Sequence, residues 1–270
     1  MIVTGIVHKP VLFAIGLRKD PLRGTNMALN PDFEESLDPD RLAKNLEMVR
    51  LQIDQACQKA QRSVSEVTLV AVTKTVGVQT CNELIRLGCS DLAENRPQVL
   101  WEKATRVDPS VRWHMIGHLQ RNKSPRTIPL LWMMHAMDSE RLGEQMAKDV
   151  VLESEGQGQR LRILLELNVT EDSTKTGLSP EEAQQVLHKY LSTPLWQQRL
   201  DLCGLMGMSS LQGDVDQTHR EFERLRHLRD RWQVDFGIPL PELSMGMSDD
   251  FQIAIEHGST MVRIGSLLYR

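Results

Sequence analysis

The sequence predicts an α/β protein folded as one parallel (β/α)8, or TIM, barrel. Three observations lead there. Eight short apolar runs alternate with amphipathic segments along residues 38–270. Several runs are apolar on both faces, as in a parallel sheet covered by helices. The first run is followed by "TKTVGVQT", which lacks the G-x-G-x-x-G loop of an open doubly wound sheet.

The periodic part opens with "DPDRLAKNLEMVRLQIDQACQKAQR", which sets Leu42, Leu46, Val49, Ile53, Ala56 and Ala60 on one helical face. Asp38 and Asp40 flank Pro39 as a helix start requires. This helix, over 40–62, is expected to close the bottom of the barrel. Strands are expected at Thr68–Thr73, Asp91–Glu94, Arg112–Ile116, Met133–Met137, Arg162–Asn168, Leu202–Met208, Glu242–Met247 and Met261–Ile264. The clearest helices between them fall at 77–88, 139–153, 180–191, 214–233 and 249–257. Pro125 and Pro129 interrupt the piece from Leu119 to Leu131.

No linker or repeat divides residues 38–270, which read as a single domain. Residues 1–37 read as a disordered N-terminal extension or an over-long reading of the start, with Met27 as an alternative first residue. Their apolar run "VLFAIGL" has Arg18, Lys19 and Arg23 after it, the wrong side for a secretory signal.

The formal net charge of -4 gives no basic footprint for nucleic acid or membrane. No apolar stretch approaches a spanning length. Cys57, Cys81, Cys89 and Cys203 show no CxxC or metal spacing, as expected of reduced thiols in a cytoplasmic protein.

A barrel of this kind carries its active site at the C-terminal ends of the strands. Lys74 ends the first strand, Glu94 and Asn95 the second, Met208, Ser209 and Ser210 the sixth. The last two strands bring "LSMGMSDDFQIAIEHGSTMVRIGS", with glycines, hydroxyls and a helix opening at Ser248. Loops after strands seven and eight are the usual phosphate site of such barrels, with Arg263 here to supply charge. The plainer reading is that Ser248 caps a helix whose first turn prefers Asp249 and Asp250. Those carboxylates must point away if a phosphate is to bind.

Two readings of Lys74 stand. It is a cation snorkelling to solvent or paired with Glu94, or an amine kept for an aldehyde, which it attacks only when neutral. A phosphate site across the mouth favours the second, because pyridoxal 5'-phosphate (PLP) needs both groups. His114 and His118 lie four apart, but on a strand that spacing does not converge on a metal.

The motifs "LVAVTKTVG", "LAENRPQ", "WHMIGHLQRNK", "LNVTEDSTKTG", "LCGLMGM" and "LSMGMSDDFQIAIEHGSTMVRIGS" occur in this order. On them the chain resembles the YggS/PROSC group of PLP-binding, or PLP homeostasis, proteins, from about Leu42 onward. It departs at Ala93, where the family shows Gly, and at "LLYR", where the family continues with Phe-Gly. The resemblance implies the barrel of the alanine racemase N-terminal domain (fold type III) without the C-terminal β domain. It implies a Schiff base (aldimine) on Lys74, with Ser248, Gly265 and Ser266 around the phosphate. Arg263 would meet the phosphate or the ring nitrogen. Ser244 and Met245 would lie near the ring, Asn95 and His114 near Lys74, and Met208 and Ser209 on the strand-six side.

Racemases of this fold use a second domain and a partner's tyrosine opposite the lysine, and this chain stops soon after strand eight. Its tyrosines are Tyr190, in a helix, and Tyr269, which could approach the rim. The expectation is therefore a cytoplasmic, monomeric protein that holds PLP in vitamin B6 homeostasis without catalytic turnover. PLP-dependent apo-enzymes or a regulatory protein would be its partners. A stand-alone amino-acid racemase is the alternative.

Overall fold

The computed structural model describes residues 37–151, 160–170, 172, 176–210 and 213–270. Its strands are β1 (Thr68–Val72), β2 (Asp91–Glu94), β3 (Arg112–Met115), β4 (Met133–Met137), β5 (Leu161–Glu166), β6 (Leu200–Met206), β7 (Glu242–Ser244) and β8 (Met261–Ile264). They pair in sequence order, all parallel, and β8 returns to β1 to close the barrel. The helices are α1 (Pro39–Lys59), α2 (Val78–Arg86), α3 (Pro97–Ala104), α4 (Ser124–Thr127), α5 (Glu140–Asp149), α6 (Pro180–Ser192), α7 (Pro194–Arg199), α8 (Val215–Phe236), α9 (Phe251–Glu256) and α10 (Ser266–Tyr269).

Local sequence accounts for the element ends. Ser179 and Glu182 form a reciprocal capping box at the start of α6, with Pro180 inside its first turn. Gly237 ends α8 at φ 63°, the left-handed cap that glycine adopts without strain. β7 stops at Ser244, short of the expected Met247, because Gly246 turns to φ 91°. A Cβ there would lie 2.8 Å from Phe251 Cα, so a larger residue could not let the loop fold back onto α9.

The expectation for the first helix needs correction. α1 does not close the bottom of the barrel; it lies along the outer wall against α2, α9 and α10. Leu42, Leu46, Val49 and Ile53 are buried there in one cluster with Ala71, Val262 and Ile264 from β1 and β8. The reason is the apolar face of α1, which meets the outward-facing side chains of β1 and β8, and Asn45 Nδ2, which donates to Leu268 O at 3.1 Å. Burying four such side chains contributes at most roughly 6–12 kcal/mol of hydrophobic transfer. α3 was not expected; its eight residues give too short a periodic pattern to stand out. The expectation for residues 1–37 falls almost wholly outside the described residues, as does the far end of the helix expected to reach 153.

Candidate functional site

The end of β1 is fixed before Lys74 is reached. Thr73 N–H donates to Ala93 O at 2.9 Å, and Thr73 Oγ1 donates to Glu94 Oε1 at 2.6 Å. The Thr73 carbonyl accepts from Lys103 Nζ at 2.7 Å, and the same ammonium lies 2.6 Å from Glu94 Oε1. This ion pair, reached from α3, is almost fully buried, and Glu94 Oε2 has no partner among the described residues. Burial raises the Glu94 carboxyl, against the pull of Lys103 and Thr73. Glu94 is thus taken by Lys103, and Lys74 stands exposed.

Strand register places Lys74's neighbours. Val70 pairs with Arg263, whose guanidinium lies inside the barrel, so Val72 and then Lys74 follow on the inner side. Val72 pairs with Ala93, which sets Lys74 beside Asn95 across β2. On the other side Gly265 lies against Val72; a Cβ on it would be 3.4 Å from Val72 Cβ. Ser248 Oγ accepts from Gly265 N–H at 3.4 Å. That contact is long, so both groups keep capacity for a third partner. Lys74, Asn95, Ser248, Gly265 and Ser266 therefore share one rim.

The acidic pair in the β7 loop divides its work. Asp249 is exposed. Asp250 is spent inside the protein, accepting from Met247 N–H at 2.6 Å and from Ser209 Oγ at 2.5 Å. Ser209 is thereby fixed at the end of β6, with Met208 half-buried against the core beside it.

Beneath the rim a polar chain runs through the barrel. Arg263 Nη1 donates to Ser244 Oγ at 2.6 Å and Nη2 to Gly207 O at 3.0 Å. Ser244 Oγ lies 2.8 Å from His135 Nδ1, and His135 Nε2 lies 2.8 Å from His114 Nδ1. His114 Nε2 is 3.1 Å from Asp91 Oδ1, which Arg112 Nε also meets at 2.7 Å. Burial opposes charge on both imidazoles. Burial also lowers Arg263 to about 10, partly offset by Asp250 and Glu166. Asp91 goes the other way: despite burial, Arg112 and His114 hold it down to about 2.

Two sequence expectations are not met at the rim. Both His114 nitrogens are engaged inside the barrel, so His114 belongs to the interior chain and is not placed to line the mouth. Met245 follows inward-facing Ser244, so it is turned away and fully buried in the main core. Tyr269 does not reach the rim either; its buried hydroxyl lies near Cys81, Cys89 and Glu94. Lys103, Asp91 and His135 were missed. A signal existed for His135, a histidine inside the otherwise apolar "MMHAM" that must find buried partners. The rim also holds His118, whose Nδ1 meets Asp138 Oδ2 at 2.5 Å, and Glu166, which burial raises.

A closed parallel barrel with a lysine after β1 and hydroxyl and N–H donors after β7 and β8 defines the class. Residues 37–270 match the family described as "Alanine racemase, N-terminal domain". The pyridoxal phosphate homeostasis protein of Aquifex aeolicus is 33% identical over 231 residues, spanning 85% of this chain and 96% of that one. The Homo sapiens protein of the same name is 33% identical over 237 residues, spanning 83% and 84%. Among solved structures, PipY of Synechococcus elongatus with PLP bound matches with TM-score 0.72 and 25% identity, over 85% of this chain and all of that one. An alanine racemase of Clostridium difficile shares the fold, with TM-score 0.67 and 14% identity over 57% of its length. The chain belongs to the alanine racemase N-terminal domain family and, within it, to the pyridoxal phosphate homeostasis proteins.

Proposed function

We propose that this protein holds PLP at the barrel mouth and serves intracellular PLP homeostasis, acting on amino-acid and keto-acid balance only indirectly. The observation that carries the reading is the shared rim of Lys74, Ser248, Gly265 and Ser266 above a buried Arg263. The donor set fits the cofactor. Lys74 supplies a solvent-accessible amine for its aldehyde. The Ser248 and Ser266 hydroxyls with the Gly265 N–H offer neutral donors to a phosphate dianion. Arg263 adds positive charge from below, and Asn95 flanks Lys74. When bound, the cofactor contributes an electrophilic aldehyde able to condense with amines. The names of the relatives and the PLP bound in PipY support the same reading.

Custody without turnover is the second part of the proposal. Proton exchange on both faces of a substrate needs an acid or base opposite the lysine. The Tyr190 hydroxyl donates to Leu200 O, and the Tyr269 hydroxyl is buried behind the barrel wall. The racemase reading draws on one observation, the His118–Asp138 pair at the rim. Deuterium wash-in at the α-carbon of alanine separates the two: sustained turnover at about 1 s⁻¹ or faster would establish an enzyme.

PLP-dependent apo-enzymes or a regulatory protein are the recipients we propose, with the chain working as a cytoplasmic monomer. All four cysteines are unpaired and buried, as suits a reducing compartment. No described helix is long and apolar enough to cross a membrane. The test of PLP binding is direct. Visible absorbance of the PLP-loaded protein should disappear in Lys74→Ala, and borohydride reduction with peptide mapping should mark Lys74. Absorbance that persists unchanged in Lys74→Ala overturns the assignment.

A further inference from the structure

We propose that Asp91, at the end of the barrel away from the mouth, is a positioning residue for Arg263, acting through a one-way hydrogen-bond chain along the barrel interior. The inference rests on the reading that Arg263 faces the cofactor. Asp91 opens β2 and Arg263 sits near the end of β8, so the chain spans the interior from bottom to top. Its members are all buried: Asp91 is 7% exposed, His114 1%, His135 0%, Ser244 0% and Arg263 3%. No water need take part, because each link is a direct contact of 3.1 Å or less.

The two ends dictate every proton between them. A carboxylate only accepts and a guanidinium only donates. Ionised Asp91 therefore requires the His114 proton on Nε2, leaving Nδ1 a bare acceptor. His135 must then donate from Nε2, which bares its Nδ1. Ser244 accordingly donates its hydroxyl proton to His135 and turns its lone pairs to Arg263. With both imidazoles neutral, this is the arrangement that satisfies every contact. The buried Arg263 and the nearby Arg162 disfavour a charged imidazole in any case.

Without the Asp91 charge the chain can reverse. His135 would donate to Ser244, and the serine would then accept from His135 and Arg263 together. Its own proton would be released toward another acceptor, and Arg263 would share the serine oxygen with a second donor instead of facing both of its lone pairs. The guanidinium would keep Gly207 O as its second anchor but not its direction. Asp91 thus sets the donor pattern at the mouth without touching anything bound there.

The alternative is that Asp91 only fastens Arg112 to the barrel floor, and the two roles are separable. Full-length apo protein labelled with ¹⁵N-histidine should show His114 and His135 as single Nε2–H tautomers. Asp91→Leu should turn His135 into a tautomer mixture. In the PLP-loaded protein Asp91→Leu should shift the pH midpoint of the visible absorbance and weaken PLP binding by about 5- to 30-fold. Asp91→Asn, which keeps an acceptor oxygen, should recover part of both effects. Arg112→Leu, which keeps the chain and removes the ion pair, should leave the midpoint in place. A folded Asp91→Leu with wild-type imidazole shifts and midpoint overturns the proposal. So does an Arg112→Leu that reproduces the Asp91→Leu shift. If wild-type protein shows no Lys74-dependent absorbance, the PLP reading fails while the tautomer measurement still decides the chain.

Discussion

Replacing Lys103 with methionine tests how the site is presented. The substitution keeps the apolar stem and removes an ammonium that bridges Glu94 and the Thr73 carbonyl. The lost hydrogen bond to Thr73 O accounts for about 1 kcal/mol. The larger part comes from Glu94, whose side chain is 0% exposed and would keep Thr73 Oγ1 as its remaining donor. It can escape by taking a proton, which for an ordinary carboxyl at pH 7 costs about 3.5 kcal/mol. The total, roughly 3–5 kcal/mol, is in the range for breaking a buried pair from one side. The pH dependence carries the diagnostic. A carboxyl whose folded pKa is raised keeps its proton longer in the folded state, so the deficit is small in acid and grows as pH rises above the unfolded value. Between pH 5.5 and 7.5 it should grow by up to about 2.7 kcal/mol. Urea unfolding followed by tryptophan fluorescence measures this, and Lys103→Met/Glu94→Leu should recover most of the loss. A deficit below about 1 kcal/mol, or one that does not change with pH, would refute the reasoning. PLP affinity should fall in the single variant, because the backbone ahead of Lys74 loses an anchor.

Three further outcomes are expected. Asp91, held at about 2 in the folded protein, contributes stability that is present above its unfolded pKa and lost as pH falls through about 2. The contribution is roughly 2 kcal/mol, and Asp91→Asn should move the acid-unfolding midpoint to higher pH, the wild-type midpoint being the contrary result. Gly246→Ala would place a Cβ 2.6 Å from Ala254 Cβ at φ 91°, at a cost of about 1–3 kcal/mol. Thermal unfolding should drop by several degrees and phosphate affinity with it; a wild-type transition would show that the loop tolerates another path. Burial pushes the Cys81 and Cys89 thiols up to about 11 and about 12, so a disulfide reagent at pH 8 should modify them only after denaturant is added, and rapid modification of native protein would contradict their burial.

The barrel was legible because its strands carry their own signal. "DLAE", "MMHAM" and "MVRI" are short, carry apolar residues at their centres or along most of their length and are bounded by turn residues, and they became β2, β4 and β8 with the expected limits. The rim followed from those strand ends, since parallel strands with matched register bring Lys74, Asn95 and Gly265 together. What escaped depended on partners far apart in sequence. His114 looks like a strand-end residue until the barrel closes and sets His135 against one nitrogen and Asp91 against the other. Lys103 sits in a helix too short to notice, and its role is visible only where α3 meets the end of β1. The side of the barrel taken by α1 was likewise set by partners distant in sequence, α9 and α10.

That last arrangement bears on how the protein is made. The β1–β8 seam joins Ala71 to Ile264, and α1 is tied across it by Asn45 Nδ2 donating to Leu268 O at 3.1 Å. Bringing together segments about 200 residues apart carries a loop-closure entropy of roughly 5 kcal/mol. Lys74 lies on one side of that seam and Gly265 on the other. On the ribosome Lys74 is therefore made long before the opposite edge of the seam exists, and the rim is first complete when residues 261–266 have emerged. A ligand gripping both edges works as a clasp on the seam, favouring the closed barrel over any form in which the last strand has come away.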